Sequence, residues 1–184
     1  MSDSPTIRHK GDYKTLLCYQ KAETIYDVTY FFVEHFLERG DRTCDQMIQA
    51  ARSGKQNIVE GYAASATSVE MELKLMNVAK SSLHELLMDY DDYLRVRGLT
   101  RWAEDSEQMQ RAKQLGREHN DSAFWRELIQ TRSAETIANL AIVLIYQADS
   151  LIYRFMQRVL ERFAEEGGFR EQLTRLRLQN RNKF

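Results

Sequence analysis

The stretch MNVAKSSLHELLMDYDDY, residues 76–93, carries the clearest helical signal in the chain. Its apolar side chains recur at alternating steps of three and four residues, which places them on one face of an α-helix. Six residues form this predicted buried seam: Met76, Ala79, Leu83, Leu86, Tyr90 and Tyr93. Because such a seam must pack against other apolar helices, the stretch predicts a helical bundle.

Composition extends this prediction to the whole chain of 184 residues, which has one proline, Pro5, and 8 glycines. A sheet-rich fold needs more turn residues than that. We therefore predict an all-α fold: an antiparallel up-down four-helix bundle with a short extra helix before the last long helix and a basic C-terminal tail. The predicted segments are a flexible head (1–11), the bundle (12–166) with a polar insertion (99–122), and a C-terminal suffix (167–184).

The other long helices follow from the same spacing and from glycine stops. The first is predicted over about 12–39 and the second over about 43–65, while the last begins near Ser122 or Ser133 and ends at Glu166. Within the last helix, IANLAIVLIY (137–146) is apolar on nearly every face. That pattern indicates either a central position or a face covered by another subunit. The stretch is about half the length of a membrane span, so we expect no membrane segment.

The second helix contains ARSGKQNIVEGY, residues 51–62, with glycines at Gly54 and Gly61. A glycine inside a helix costs about 1 kcal/mol relative to alanine. At 100° per residue both glycines fall in the buried sector of this helix. They are therefore predicted to form a packing seam that lets a neighbouring backbone approach.

Three polar residues border that seam: Ser53, Asn57 and Glu60. A half-buried asparagine or glutamate needs hydrogen-bond partners, and Ser81 or Ser82 on the third helix can supply them. Two interpretations remain open. The strip is either a structural hydrogen-bond network between helices or a site for a ligand or partner.

Motifs for catalysis or metal binding are absent from the sequence. None of the 4 histidines follows a glutamate by three residues, the spacing of di-iron bundles. The segment HELLM (84–88) has Met88 where a zinc protease helix needs its second histidine. Along an up-down bundle, Cys18 and Cys44 lie too far apart for a disulfide and are predicted to be free thiols. We predict no enzyme, no cofactor and no metal site.

Several short motifs together resemble a known family. QMIQAARSGKQNIVEGY (46–62) looks like the hallmark of the bacterial four-helix-bundle proteins encoded in intervening sequences of 23S ribosomal RNA genes, although Val59 replaces an alanine and Gly54 an isoleucine. NVAKSSLHEL (77–86) resembles that family's third helix, and residues 147–181 resemble its four-helix-bundle suffix domain. The residues that match the motif here are Ser53, Asn57, Ile58, Glu60, Gly61, Ala79, Ser82, Leu83 and Glu85, and Gly54 belongs with them to the predicted structural motif although it departs from the family pattern.

The resemblance implies a left-handed antiparallel bundle without an established enzymatic activity. Relatives in fold include the accessory variability determinant of diversity-generating retroelements, which forms a homopentamer and binds nucleic acid and a reverse transcriptase. For this chain it implies a non-catalytic homo-oligomer, a pentamer by analogy, with RNA or DNA and a reverse transcriptase as candidate partners. The polar first residues, MSDSPTIRHKG, and the two predicted free thiols lead us to expect a cytoplasmic protein. The alternative is a protein–protein interaction scaffold with no role in nucleic-acid binding.

Charge is unevenly distributed, since the net charge is −1 but residues 170–184 carry +4 and the remainder −5. The tail could bind an anionic partner, or it could be a solvated helix end. Its candidate contacts are Arg170, Arg175, Arg177, Arg181 and Lys183. A second candidate basic cluster lies at the other end of the chain and consists of Arg8, Lys10, Lys14 and Lys21.

Overall fold

The protein is all-α, as predicted, in a computed structural model that describes residues 11–181. Within that range the chain forms seven α-helices and a short 3-10 turn (Tyr13–Thr15), and it contains no strand. The helices are α1 (Leu17–Phe36), α2 (Arg42–Ala64), α3 (Val69–Val96), α4 (Glu107–Glu118), α5 (Ser122–Ile129), α6 (Ala134–Glu166) and α7 (Phe169–Arg181).

Glycines end two of the helices where the sequence predicted stops. Gly98 directly follows the cap of α3 and Gly167 caps α6, both with positive φ, 63° and 75°, a conformation that favours glycine. The predicted end of the first helix at residue 39 is wrong, because α1 already ends at Phe36 and Gly40, with a φ of 95°, lies in the turn before α2. The first helix also begins later than predicted, because Asp12 caps the 3-10 turn and Leu16 is extended before α1 begins.

The four longest helices contact one another in a ring, in which α1 and α3 each pack against both α2 and α6. The core lies inside this ring, and all six residues of the predicted seam of α3 are buried in it. From α1, Phe32 packs edge-on against Tyr90 and Tyr93, with ring centroids 5.0 and 4.7 Å apart. The Tyr90 hydroxyl donates to Thr29 Oγ1 at 3.0 Å, so this buried polar group is satisfied.

The predicted polar insertion, 99–122, contains one short helix, α4, as expected, but this helix is not exposed on all sides. It packs on α6 and buries Met109, Ala112 and Gly116. The structure corrects the prediction because these three residues lie three or four positions apart and share a face. The predicted last helix is divided: α5 begins at Ser122 and packs on α1, burying Trp125 and Ile129, and α6 follows the cap residue Ser133.

The apolar segment of α6, residues 137–145, is buried on all sides by helices of the same chain. Of the two predicted alternatives, a central position accounts for its composition. The apolar character extends beyond residues 137–146. Ala134–Glu165 is long enough to cross a membrane, and an 18-residue window within it is apolar enough, with a mean hydropathy of 1.4. In the most apolar window of that helix, 61% of residues are buried within the protein, as expected for a helix at the centre of a bundle.

Candidate functional site

The two glycines of α2 face α3 at close range. A Cβ atom added at Gly54 would lie 2.8 Å from Leu83 Cδ2, and one added at Gly61 would lie 3.2 Å from the backbone oxygen of Glu72. Gly54 thus approaches residue 83 and Gly61 approaches residue 72, so α2 and α3 run in opposite directions. The glycines serve close helix packing at this contact.

The polar strip beside these glycines links the two helices by hydrogen bonds. Ser53 Oγ and Ser82 Oγ lie 2.9 Å apart, which confirms Ser82 as the predicted partner across the interface. The side chain of Asn57 donates from Nδ2 to Ser53 O at 2.9 Å and contacts Ser53 Oγ at 3.2 Å. The predicted alternative partner, Ser81, is exposed. Ser53, Ser82 and Asn57 therefore form one small network, and the hydrogen bonds described here all join groups of the protein itself.

Glu60 and Glu85 stand outside this network. Glu60 was predicted to be half-buried beside the seam but is exposed, where it accepts a hydrogen bond from Gln56 at 3.3 Å. The reason is geometric, because Glu60 lies about 100° around the helix from Gly61 and its long side chain reaches solvent. Glu85 is also exposed, on α3.

An open groove of about 580 Å³ borders the network between α2 and α3. Its charged lining residues are all acidic: Asp45, Glu85 and Asp89. Burial, and then the negative charges of Asp92 and Glu85, raise the pKa of Asp89. A groove of this sign repels a phosphate backbone. Among the described residues, no group of three or more His, Cys, Asp or Glu side chains is arranged to hold a metal ion.

The two cysteines are free thiols, as predicted. Cys18 is buried in the core, and burial raises the pKa of its thiol to about 11. Cys44 is half-buried near the start of α2. A buried thiol with a raised pKa is a poor nucleophile, so Cys18 belongs to the packing of the core.

The predicted basic tail forms α7. Three of its candidate arginines are exposed: Arg175, Arg177 and Arg181. The side chain of Arg170 and all of Lys183 lie outside the described residues. Arg177 and Arg181 are four residues apart and so face the same side of the helix. Leu173 and Leu178 are exposed as well, at 43% and 51% of their surface.

The prediction that Lys21 belongs to a basic cluster near the start of the chain is wrong. Lys14 is exposed, but Lys21 is only 1% exposed, and its Nζ donates to the carbonyl oxygens of Gly116 and His119. Arg8 and Lys10 lie outside the described residues. Lys21 instead lines a second cavity, between α1, α4 and α6, that no motif indicated. The sequence pattern that could have predicted the burial of Lys21 is its position on the apolar face of α1. It lies three residues after Cys18 and four before Ile25, both of which are buried.

No protein-family model matches this chain, and no curated protein or solved structure matches it. The family resemblance therefore rests on the short motifs themselves. Among their residues, Ser53, Gly61, Ser82 and Leu83 lie at the contact of α2 with α3.

Proposed function

We propose that the protein is a non-catalytic helical-bundle accessory protein that contacts nucleic acid through the arginines of α7. One observation carries this proposal. Arg175, Arg177 and Arg181 are exposed on one short helix, and none of them has a carboxylate partner among the described residues. Guanidinium groups bind phosphate oxygens through paired hydrogen bonds. A guanidinium without a carboxylate partner can bind a phosphate without first breaking an ion pair.

The proposed fold is the antiparallel up-down four-helix bundle of the family encoded in 23S ribosomal RNA intervening sequences. The ring of contacts among α1, α2, α3 and α6 supports it. So does the place of the motif, because Gly54, Gly61 and the Ser53–Ser82 hydrogen bond lie at the contact of its second and third helices. On this proposal the motif residues serve packing and the protein is cytoplasmic.

A nucleic-acid enzyme such as a reverse transcriptase is the proposed protein partner, and a neighbouring gene for such an enzyme would support it. A homo-oligomer, with a pentamer as the first expectation, is also proposed from the resemblance. The apolar segment of α6 gives this assembly no support, since residues 137–145 are covered within one chain. Light scattering at micromolar concentration measures the assembly directly, and a clean monomer would remove the pentamer from the proposal.

The second candidate function is a protein-interaction scaffold without nucleic acid. The specific observation in its favour is the set of large apolar side chains exposed on the last turns of α6 and on α7. These are Leu160, Phe163, Leu173 and Leu178, each more than 40% exposed. Large apolar side chains that remain exposed are typical of protein contact surfaces when they lie together.

Fluorescence anisotropy with labelled single-stranded and duplex RNA and DNA tests the first function. We expect binding at low salt that weakens steeply as salt is added, because few phosphate contacts are available. The variant Arg175→Gln/Arg177→Gln/Arg181→Gln should bind more weakly. For duplex DNA, the slope of the logarithm of the binding constant against the logarithm of the salt concentration should become less steep. The change should be about 0.9 for each phosphate that the removed arginines had neutralised.

The matched control is Arg39→Gln/Arg42→Gln/Arg52→Gln, which removes the same charge from exposed arginines around α2. If both triple variants bind equally well, α7 is not the contact surface. If the wild type binds none of the four nucleic acids at low salt, the nucleic-acid function is wrong and the scaffold function takes its place.

A further inference from the structure

A cavity of about 530 Å³ lies between the start of α1, the helix α4 and the middle of α6. Its volume is in the range of sites that hold small molecules. Part of its wall is apolar and comes from all three helices, through Leu17, Met109, Val143 and Leu151. The wall therefore offers a surface for a compact apolar group.

The charged residues around this cavity are mostly cationic: Lys21, Lys113, Arg117 and Arg154 face one carboxylate, Glu104. That carboxylate is already paired with Lys113. Within the described residues neither Arg117 nor Arg154 has a carboxylate partner. Two arginines without carboxylate partners and one buried ammonium thus line the same cavity, and the Nε of Arg154 donates to Ser150 O at 3.3 Å.

Lys21 is the buried member of this group. Its Nζ donates to Gly116 O and His119 O, at the C-terminal end of α4. An ammonium group has three N–H donors, so one remains after these two bonds. Burial lowers the pKa of Lys21 to about 8, so the side chain is still mostly charged at neutral pH. A buried charge without a counter-ion is unfavourable, and an anion in the cavity would offset that cost.

Gln147 adds an unsatisfied acceptor to the cavity wall. Its Nε2 donates to Lys113 O at 2.9 Å, whereas its Oε1 is buried and has no hydrogen-bond partner. This oxygen lies directly against Gly116, where a side chain would collide with it. A buried amide oxygen without a donor is destabilising, and a hydroxyl group on a ligand would satisfy it, since the one remaining N–H of Lys21 is needed by the anion.

We propose that this cavity binds a small amphipathic carboxylate. The carboxylate group is held by the cations Lys21, Arg117 and Arg154, and the apolar body packs against the side chains of α1, α4 and α6. The proposed site is separate from the arginines of α7, and it stands or falls independently of nucleic-acid binding.

Isothermal titration with decanoate tests the proposal on the full chain. Decanoate should bind with one site per chain, and both 1-decanol, which lacks the charge, and inorganic phosphate, which lacks the apolar body, should bind at least about tenfold more weakly. Each of the variants Arg117→Gln and Arg154→Gln should weaken decanoate binding about tenfold, the loss expected for one charged hydrogen bond. The control is Arg158→Gln, one turn further along α6, which removes the same charge from an exposed arginine outside the cavity.

Circular dichroism melting of each variant separates lost binding from lost folding. Lys21→Met should abolish decanoate binding while keeping the helical signal, and if it unfolds instead, the two arginine variants decide the question. No binding of decanoate at millimolar concentration would overturn the proposal. Equal binding of 1-decanol or of phosphate would overturn it too, as would equal weakening by Arg154→Gln and Arg158→Gln.

Discussion

Gly54 and Leu83 approach so closely that a Cβ atom at position 54 would lie 2.8 Å from Leu83 Cδ2 and Cγ. Real Cβ atoms essentially never come this near to another carbon, so with a side chain at residue 54 either Leu83 would have to move or α2 and α3 would have to separate. The contact between the two helices thus depends on an absent side chain. The helix-propensity cost of glycine, about 1 kcal/mol, is offset by the packing it permits.

Overpacking by Gly54→Ala is expected to lower the free energy of unfolding by about 1–3 kcal/mol, of which the higher helix propensity of alanine returns about 1 kcal/mol. Gly61→Leu should fall in the same range, because its side chain meets α3 backbone at Glu72. Urea unfolding followed by circular dichroism measures both. In the Leu83→Ala background the alanine at position 54 has room, so its cost should shrink. An equal cost of Gly54→Ala in both backgrounds would show that Leu83 is not the obstacle.

The hydroxyl pair Ser53–Ser82 should contribute to stability as a unit. Ser82→Ala leaves the Ser53 hydroxyl without its partner on α3 and is expected to cost about 1 kcal/mol. The double variant Ser53→Ala/Ser82→Ala should cost less than the sum of the two single variants, because it strands no hydroxyl. Strict additivity in the urea unfolding of the three variants would argue against the pair.

Asn57→Ala should lower stability by about 0.5–1 kcal/mol, since it loses the bond to Ser53 O but gains helix propensity. Binding of any partner should be unchanged, because the side chain points into the network with Ser53. Abolished binding at an unchanged melting temperature would instead favour the ligand-site interpretation of the strip.

Trp125 tests whether α4 and α5 belong to the folded core. The side chain is fully buried, and its Nε1 donates to His119 O at 3.0 Å. Trp125→Ala should cost about 3–5 kcal/mol, the range for large core aromatics. An exposed position on α4, Gln114→Ala, serves as the control and should change stability by less than about 0.5 kcal/mol. Similar small losses for both variants would mean that the segment is a dispensable insertion.

Lys21 should give the protein a specific pH dependence of stability. Burial lowers its pKa from 10.5 to about 8 in the folded protein, so between these pH values the unfolded chain holds a proton that the folded protein has released. Stability rises with pH wherever the unfolded state binds more protons. Compared with Lys21→Met, the wild type should therefore become steadily more stable as the pH increases across this window.

Urea unfolding of wild type and Lys21→Met at a series of pH values measures the difference between their free energies of unfolding. The titrations of other groups contribute to both proteins and cancel in that difference. Lys14→Met, at an exposed lysine of the same end, is the control and should not reproduce the trend. Parallel stability curves for wild type and Lys21→Met would show that the Lys21 ammonium is as well solvated in the folded protein as in the unfolded chain.

Regular spacing made much of the fold predictable from the sequence. The seam from Met76 to Tyr93 has no interruption, and all of it is buried. Gly98 followed that helix and indeed ends it with positive φ. The partnership of Ser53 with Ser82 was accessible for the same reason, because helical periodicity placed Ser53 on the flank that meets the third helix.

Features that depend on distant parts of the chain were not predictable in this way. Lys21 was grouped with exposed cations because lysine is rarely buried, and its partners are backbone carbonyls near residues 116 and 119. Likewise, Met109 stands among polar residues of α4, so only the helix it contacts reveals that it faces inward. The second cavity is lined by both Lys21 and Met109, so its position depends on these contacts between distant parts of the chain. No local pattern could have located it.

The order of the helices along the chain has a consequence for synthesis. All three helices that α6 packs against extensively, α1, α3 and α4, come before it in the sequence. Synthesis runs from the N-terminus, so the segments that will enclose the most apolar stretch, residues 137–145, have been synthesised before this stretch leaves the ribosome. The interval in which this aggregation-prone stretch can meet another nascent chain is thereby kept short.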